Sequence, residues 1–371
     1  MSVVSTPGGP LGVGIIGAGV ISTQYLTNLT TYPDVKVVAV GDLYPEAAKA
    51  KAEEFGIAKH GDVASVLTDP EVELVVNLTI PAAHAEVGTA IVEAGKHLWN
   101  EKPLTDNLQT AKDLLAAAER NNVRVGCAPD TVLGPGWQAV RRVIESGAIG
   151  EPKSGLILFQ SPGPEKWHPN PDFLFQAGGG PLLDIGPYYL TALTQVFGPV
   201  RTVEAVGSLA LPQRTIGEGP RAGQSFDVTV PTHVGSLLQY VNGGVAQAVF
   251  SFESAIKRTV IEISGTEGAL VAPDPNRFDG EITVTKMHEA DAVVAATADA
   301  AGQGRGIGVV DMVRSIRAGE PHRASGEQAL HILDVMLTAE AKAKGEQASL
   351  STSSVQPAAL PEGWDPRVAS A

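Results

Sequence analysis

The chain has 371 residues, a formal net charge of −14, 43% hydrophobic and 18% charged residues. At roughly 100–200 residues per domain this length points to two domains, the apolar content supports folded cores, and the acidic balance argues against nucleic acid or an anionic membrane surface as partner, since both are held by basic patches. One cysteine, Cys127, excludes an intramolecular disulfide and suits a reducing compartment, no apolar run approaches the ~18 residues of a membrane span, and the start, MSVVSTPGGP, lacks a leader pattern, so a cytoplasmic protein is expected.

Residues 12–17 (GVGIIG) are a short β-branched run ending in glycine, the pattern of a strand covered on both faces. A helix over 20–30 stops before Pro33, and 35–40 (VKVVAV) is a second buried strand. Residues 45–55 form a helix with Pro at its start and Gly56 past its end. Strands over 72–78, 96–99 and 123–127 alternate with helices over 84–94 and from a cap at Asp106 to 121. That alternation predicts a doubly wound parallel sheet, a Rossmann domain over residues 1–130.

Residues 131–371 read differently. Helices are predicted over 136–146 and within 180–197, and a strand over 153–160. Strand-like runs then dominate, at 203–209, 233–241, 245–252, 259–264 and 281–286, joined by turn signals such as Asn242-Gly243-Gly244. The Ala-rich stretch 290–301 reads as a loop or poorly ordered helix, two helices follow over 308–318 and 326–344, and the tail from 349 wraps the surface. The second domain is therefore α+β with a large, mostly antiparallel open sheet, whose exposed face is expected to be covered by a second subunit in a homodimer or homotetramer.

Gly17-Ala18-Gly19-Val20-Ile21-Ser22 follows a strand and opens a helix, a G-x-G-x-x-G pattern with Ser in the last place. The first glycine allows the turn, the second lets backbone approach a pyrophosphate, and the helix start offers N–H donors. Asp42 ends the second strand 23 residues after Gly19, where a carboxylate accepts from a ribose 2′-OH and repels a 2′-phosphate. NAD is the expected cofactor and NADP the less favoured one.

Asn100-Glu101-Lys102-Pro103 lies at the C-terminal end of a parallel strand, the edge where such sheets bind ligands. Glu101 and Lys102 belong to that edge, and the Lys102 ammonium can reach a substrate hydroxyl beside the nicotinamide. In GGGPLLDIGPYY, Asp184 and Tyr188 stand four apart and share a helix face, an acid and a phenol suited to handling a proton. The histidines fall at no metal-ligand spacing and there is no G-x-S-x-G elbow, so neither a metal site nor a serine nucleophile is expected.

Taken in order, GIIGAGVIS, IPAAH, AGKHLWNEKPL, SGAIGEP, GGGPLLDIGPYY, GTEGAL and SGEQALHILDVM resemble the Gfo/Idh/MocA family of oxidoreductases. The resemblance implies hydride transfer between a nicotinamide and a ring hydroxyl of a sugar, cyclitol or glycoside. It maps the family's catalytic lysine on Lys102 and its motif aspartate on Asp184. A frequent histidine maps on Tyr188, and a loop beside the nicotinamide ribose maps on Thr79, Ile80, Pro81 and His84. Tyrosine and lysine have ordinary pKa values near 10, against about 6.5 for histidine, so the proton acceptor is open among Lys102, then Tyr188, then Asp184.

Where many members carry an Arg-containing segment, this chain has Cys127-Ala128-Pro129-Asp130-Thr131, and Asp130 is a candidate for binding sugar hydroxyls or for a helix cap. Trp167 can stack on a sugar face and His168 can titrate near neutrality, or both belong to a surface loop. Three alternatives stay open: redox-neutral, NAD-assisted glycoside cleavage, a reductase of a non-sugar carbonyl or dihydrodiol, and a non-catalytic cofactor-binding regulator.

Overall fold

The structure, a computed structural model, describes residues 9–370. The chain divides into two compact units: Met1–Gly134 with Ala300–Leu330 and Pro357–Ala371, and Pro135–Asp299 with His331–Gln356. A single cut at residue 130 misses the return of the two later segments to the first unit.

In chain order the first unit begins β1 (Leu11–Ile16), α1 (Val20–Leu29), β2 (Val35–Gly41), α2 (Pro45–Phe55), β3 (Lys59–Gly61), α3 (Val63–Thr68), β4 (Leu74–Asn77), α4 (His84–Glu93), β5 (His97–Asn100), α5 (Leu108–Arg120) and β6 (Val125–Cys127). The six strands lie in the order β3-β2-β1-β4-β5-β6 with every pair parallel. Strands buried on both faces explain the unbroken apolar runs: Val13, Ile15, Ile16, Val75, Val76, Leu98 and Trp99 are all inaccessible. The order reverses between β1 and β4, and in an open α/β sheet that switch point opens the ligand crevice. The sequence patterns miss β3 and α3, which are only three and six residues long. They also place the α5 cap one residue early: Asn107, not Asp106, accepts the Thr110 N–H.

The second unit contains α6 (Pro135–Glu145), β7 (Pro152–Gln160), α7 (Gly180–Phe197), β8 (Val200–Ser208), β9 (Gln213–Thr215), β10 (Ser225–Asp227), β11 (His233–Tyr240), β12 (Val245–Ser251), β13 (Arg258–Gly265), β14 (Gly268–Ala272), β15 (Gly280–Lys286) and β16 (Val293–Ala298). Then α8 (Ile307–Ala318) belongs to the first unit, and α9 (Gly326–Ala343) enters the second from His331. The eight-stranded sheet runs β16-β15-β14-β13-β7-β12-β11-β8, antiparallel except for β12 beside β7. Within the stretch 290–301, Val293–Ala298 is corrected from loop or helix to an edge strand, since β16 pairs antiparallel with β15.

Alternation along β11 and β12 sends Val234, Leu238, Tyr240, Ala246, Ala248 and Phe250 inward, on strands that contact α7. The opposite face leaves Val206, Leu237, Val245 and Val271 exposed. The tail from 346 to 370 has neither helix nor strand. Within the first unit its end is tied down by Ser370 on the Asp34 carboxylate and by Trp364, whose ring lies 4.6 Å from the Arg314 guanidinium.

Candidate active site

At the C-terminal edge of the parallel sheet, β1 is followed by Gly17, whose φ of +104° favours glycine. A Cβ there would come within 2.6 Å of the Leu78 backbone, so glycine is required for the β1 and β4 loops to meet. Gly19 faces open space, with no heavy atom within 4 Å of where its Cβ would lie, and α1 starts after it without a side-chain cap. The Ser22 N–H donates to the Gly19 carbonyl at 3.1 Å, and the uncapped N–H groups of Val20 and Ile21 ahead of it suit an anion. Asp42 Oδ2 accepts the Ala18 N–H at 2.7 Å and Oδ1 accepts the Tyr44 N–H at 2.9 Å, which ties the glycine turn to the end of β2. Val20 and Ile80, 90% and 70% exposed, stand apolar and solvent-facing at this edge, Pro81 is exposed, and Ile21 and Thr79 are half-buried. These features fit a dinucleotide: a bare glycine at the helix start, an acid at the second strand, and apolar side chains left uncovered.

The neighbouring loops are held by a run of side-chain bonds. Thr79 Oγ1 donates to Asn77 Oδ1 at 2.8 Å, and Asn77 Nδ2 donates to Asn100 Oδ1 at 2.7 Å. Asn100 Nδ2 in turn donates to the carbonyls of Glu101 and Leu104. Glu101 is buried: Oε1 accepts the Tyr25 hydroxyl at 2.8 Å and Oε2 accepts the Lys102 N–H at 2.9 Å. Tyr25 also accepts the Trp99 indole N–H at 3.3 Å. Burial, reinforced by the Glu101 charge, pushes the Tyr25 phenol well above its ordinary pKa, so it remains a neutral donor. Lys102 itself is half-buried at the edge.

In the second unit, β7 runs out at Gln160 into a segment with two short 3₁₀ turns, Pro164–Lys166 and Asp172–Phe175. The second turn is anchored by an apolar cluster in which Phe175 meets Phe226 and Phe252 at ring distances of 5.3 and 5.7 Å. The first is held by the buried Glu165, whose Oε1 accepts from Arg214 at 2.9 Å, while the same guanidinium donates to the Pro162 carbonyl at 3.1 Å. The result is a cavity of about 390 Å³, whose wall includes Phe159, Trp167, Asp184, Ile185 and Phe252. Trp167 and Asp184, singled out separately by sequence, thus line one cavity, with the indole 63% exposed. Tyr188 follows Asp184 by one turn of α7 and is buried.

Sequence comparison adds an independent observation. Residues 11–128 match the oxidoreductase family, NAD-binding Rossmann fold model of Gfo/Idh/MocA, and residues 137–271 match the family's C-terminal domain model. The trans-1,2-dihydrobenzene-1,2-diol dehydrogenase of Xenopus tropicalis is 30% identical over 274 residues, 70% of this chain and 74% of the relative. The chain belongs to the Gfo/Idh/MocA oxidoreductase family. Levoglucosan dehydrogenase of Pseudarthrobacter phenanthrenivorans is 28% identical over 294 residues, 70% of this chain and 73% of that protein. The crystal structure of an NAD binding oxidoreductase from Klebsiella pneumoniae superposes with a TM-score of 0.80 at 25% identity, covering 92% of this chain and 100% of that one.

In this Gfo/Idh/MocA member several candidate residues are engaged by the framework. Asp130 is corrected from a sugar-binding candidate: it is fully buried, its Oδ2 accepts the N–H groups of Gly306 and Gly308 at 2.7 and 3.2 Å, and Arg305 lies 3.8 Å from Oδ1. It caps α8 from within the first unit. Burial lifts its carboxyl from 3.8 to about 6, against the lowering pull of Arg305 and the two N–H donors. His84 is buried too, with Nδ1 2.6 Å from the Pro103 carbonyl and Nε2 3.0 Å from the Thr79 carbonyl, so it clamps the two loops together. Burial depresses its pKa, against the two carbonyls, which favour the charged ring. Glu101 likewise positions Lys102 through its backbone.

His168 is absent from the cavity wall; its Nδ1 accepts the Asn170 N–H at 3.1 Å, and its ring stands edge-on between Trp167 and Phe173. The glycines before α7 admit the protein's own backbone: a Cβ on Gly179 would meet the Phe173 carbonyl at 2.4 Å. Sequence reasoning missed Tyr25, Glu165 and Arg214. Tyr25 sits on a helix where it reads as core, and the Glu165–Arg214 pair is 49 residues apart with no motif to join it.

Proposed function

We propose that this enzyme oxidises or reduces a ring hydroxyl of a sugar, cyclitol or glycoside, using NAD in preference to NADP. The observation that carries the reading is Lys102 at the sheet edge, with its backbone fixed by buried Glu101, in a chain whose glycine turn and Asp42 suit a dinucleotide. The polyol assignment draws on the cavity lined by Trp167 and Asp184, an aromatic face and a carboxylate acceptor that match a hydroxylated ring. It draws also on relatives named for levoglucosan and 1,5-anhydro-D-fructose.

Bound NAD supplies the hydride acceptor. Lys102 takes the hydroxyl proton onto Nζ as the carbon loses hydride, and returns it in the reverse direction. That requires a lysine poised to deprotonate, a role for which general-base catalysis contributes roughly 10²–10⁴-fold. Asp184 accepts a hydrogen bond from a second hydroxyl and orients the ring, and Tyr188 completes the pair as the alternative proton carrier. Asp42 accepts from the adenosine ribose and disfavours a 2′-phosphate.

The exposed sheet face bearing Val206, Leu237 and Val245 is proposed to be covered by a second copy of the chain. A second chemical reading has a specific relative behind it: the 30% identity to a dihydrodiol dehydrogenase keeps a non-sugar diol in play. The test is absorbance at 340 nm with NAD or NADP and a panel of inositols, hexoses, anhydrosugars, glucosides and trans-dihydrodiols. A rise with a ring polyol and NAD supports the reading. A rise only with the dihydrodiol replaces it, and no rise with any member despite measured NAD binding moves the assignment to redox-neutral glycoside cleavage.

A further inference from the structure

The cavity of the second unit is lined by three cations, Lys166, Lys257 and Arg258, against a single carboxylate, Asp184. This concentration of positive charge stands out in a chain whose net charge is −14. It arises from register: Arg258 opens β13 opposite Gln160, the last residue of β7, and Lys257 precedes it. The chain leaving β7 then brings Lys166 and Trp167 to the same wall.

The carboxylates behind that wall do not cancel these charges. Glu165 is matched by Arg214 at 2.9 Å, with Lys166 farther off at 3.8 Å, and Glu253 lies 4.0 Å from the same Arg214 and also accepts the Thr232 hydroxyl. Among the described residues no carboxylate comes within 4.0 Å of Lys257 or Arg258, and both side chains are exposed. Burial of Glu165 and Arg214 fixes the backbone turn from which the exposed Lys166 side chain extends. A wall of cations beside an exposed indole suits a ring that stacks and carries a negative group. A neutral polyol would need only hydrogen-bond partners such as Asp184 supplies.

We infer that the substrate is a ring polyol bearing an anionic substituent, a carboxylate or a phosphate, and that Lys257 and Arg258, with Lys166, receive that substituent. The inference rests on the proposed function in one respect, that this cavity takes the substrate. A guanidinium binds either oxyanion through paired N–H donors, and flanking ammonium groups add point charge. Electrostatic attraction of this kind also speeds capture, and weakens as salt rises.

The experiment uses the full-length enzyme and matched ligands: D-glucose, D-glucuronate and D-glucose 6-phosphate, and myo-inositol with myo-inositol 1-phosphate. Binding is read by calorimetry with and without NADH, and turnover separately at 340 nm. The anionic member of a set should bind about 10- to 100-fold more tightly than its neutral partner, the effect of adding charge-assisted hydrogen bonds. Whether the uronate or the phosphates win identifies the group.

The ratio should collapse toward unity in the Lys257→Gln, Arg258→Gln double variant and persist in the charge-conserving Lys257→Arg variant. The ratio is unaffected by any general loss of folded protein. Equal binding of neutral and anionic members, a ratio that survives the double variant, or no binding of any anionic member overturns the inference. A ratio that behaves as expected without any NADH formation would leave the anion site standing and sink the dehydrogenase reading.

Discussion

At the edge of the parallel sheet the groups proposed to meet a dinucleotide are mostly main chain, presented by Gly17, Gly19 and the start of α1, with Asp42 as the chief side chain. In the second unit the cavity is assembled from side chains on three segments, 159–167, 184–185 and 252–259. A backbone site depends on the conformation of a few consecutive residues, whereas a side-chain site depends on strand register and on what lies underneath. The first can be reused for one cofactor across many proteins, and the second is free to vary with substrate. The two regions should therefore respond differently to substitution.

The largest difference should appear with Lys102→Met. This removes the proposed proton acceptor and leaves the glycine turn and Asp42 untouched. Turnover should fall by about 10²–10⁴-fold, with NAD affinity, read by fluorescence of bound NADH, kept within a few-fold. Turnover near the wild-type value would refute the role given to Lys102.

Next come two buried carboxylate–arginine pairs, Asp130–Arg305 and Glu165–Arg214, one in each unit. Removing one member of such a pair typically costs about 3–5 kcal/mol, so Asp130→Ala and Arg214→Met should both lower the urea midpoint strongly. Their consequences for ligands should diverge. Arg214 holds the turn bearing Lys166 and Trp167, so its loss should raise KM for substrate while NAD binding holds. Asp130 caps α8, and its loss should act on stability alone.

The Asp130 pair also carries a pH signature. Asp130 binds its proton more tightly folded, at about 6, than unfolded, at 3.8. The folded state thus gains relative to the unfolded one at low pH, and that contribution is lost as pH rises from about 4 through 6. The melting temperature of wild type relative to Asp130→Asn should fall across that window; a flat difference would show that Asp130 does not titrate there.

The contrast also explains what was legible in the sequence. Buried parallel strands must be apolar throughout and their helices end at glycines, so β1, β2, α2 and α4 stood out, and the glycine turn with Asp42 followed. Lys102 and Asp184 were visible as parts of dense local motifs. Asp130 stayed open between two readings because a capping carboxylate and a sugar-binding one look alike until the partner, here the Gly306–Gly308 backbone 176–178 residues away, is known. β16 was misread because VVAATA alternates only weakly and an edge strand has one neighbour. The cations of the cavity could not be found at all, since nothing local distinguishes Lys257 and Arg258 from solvated surface residues.

Tyr25→Phe sharpens the same contrast within the first unit. It deletes one of two donors to buried Glu101 and the acceptor of the Trp99 N–H, leaving the Lys102 N–H contact on the other carboxylate oxygen. A loss of about 1–3 kcal/mol in stability is expected from partly unsatisfied buried groups. As a positioning residue, Tyr25 should also lower kcat more than it raises KM. Equal effects on both, or none on kcat, would reduce it to a structural role.

The smallest effect, and the one most specific to the backbone site, belongs to Asp42→Asn. The amide keeps the size of the side chain and can still accept from Ala18 at the shorter contact, 2.7 Å, but it turns a donor toward the Tyr44 N–H, and the half-buried position lets water relieve that conflict. What it removes is the negative charge. NAD should bind somewhat more weakly through the lost charge-assisted bond to ribose, and NADP more strongly as repulsion of its 2′-phosphate disappears. The NAD-to-NADP ratio of dissociation constants should shift by about tenfold, or ~1.4 kcal/mol, while the substrate KM and the anion-to-neutral ratio of the second unit stay as they were. A shift in those substrate terms equal to the cofactor shift would mean that the two regions do not act independently.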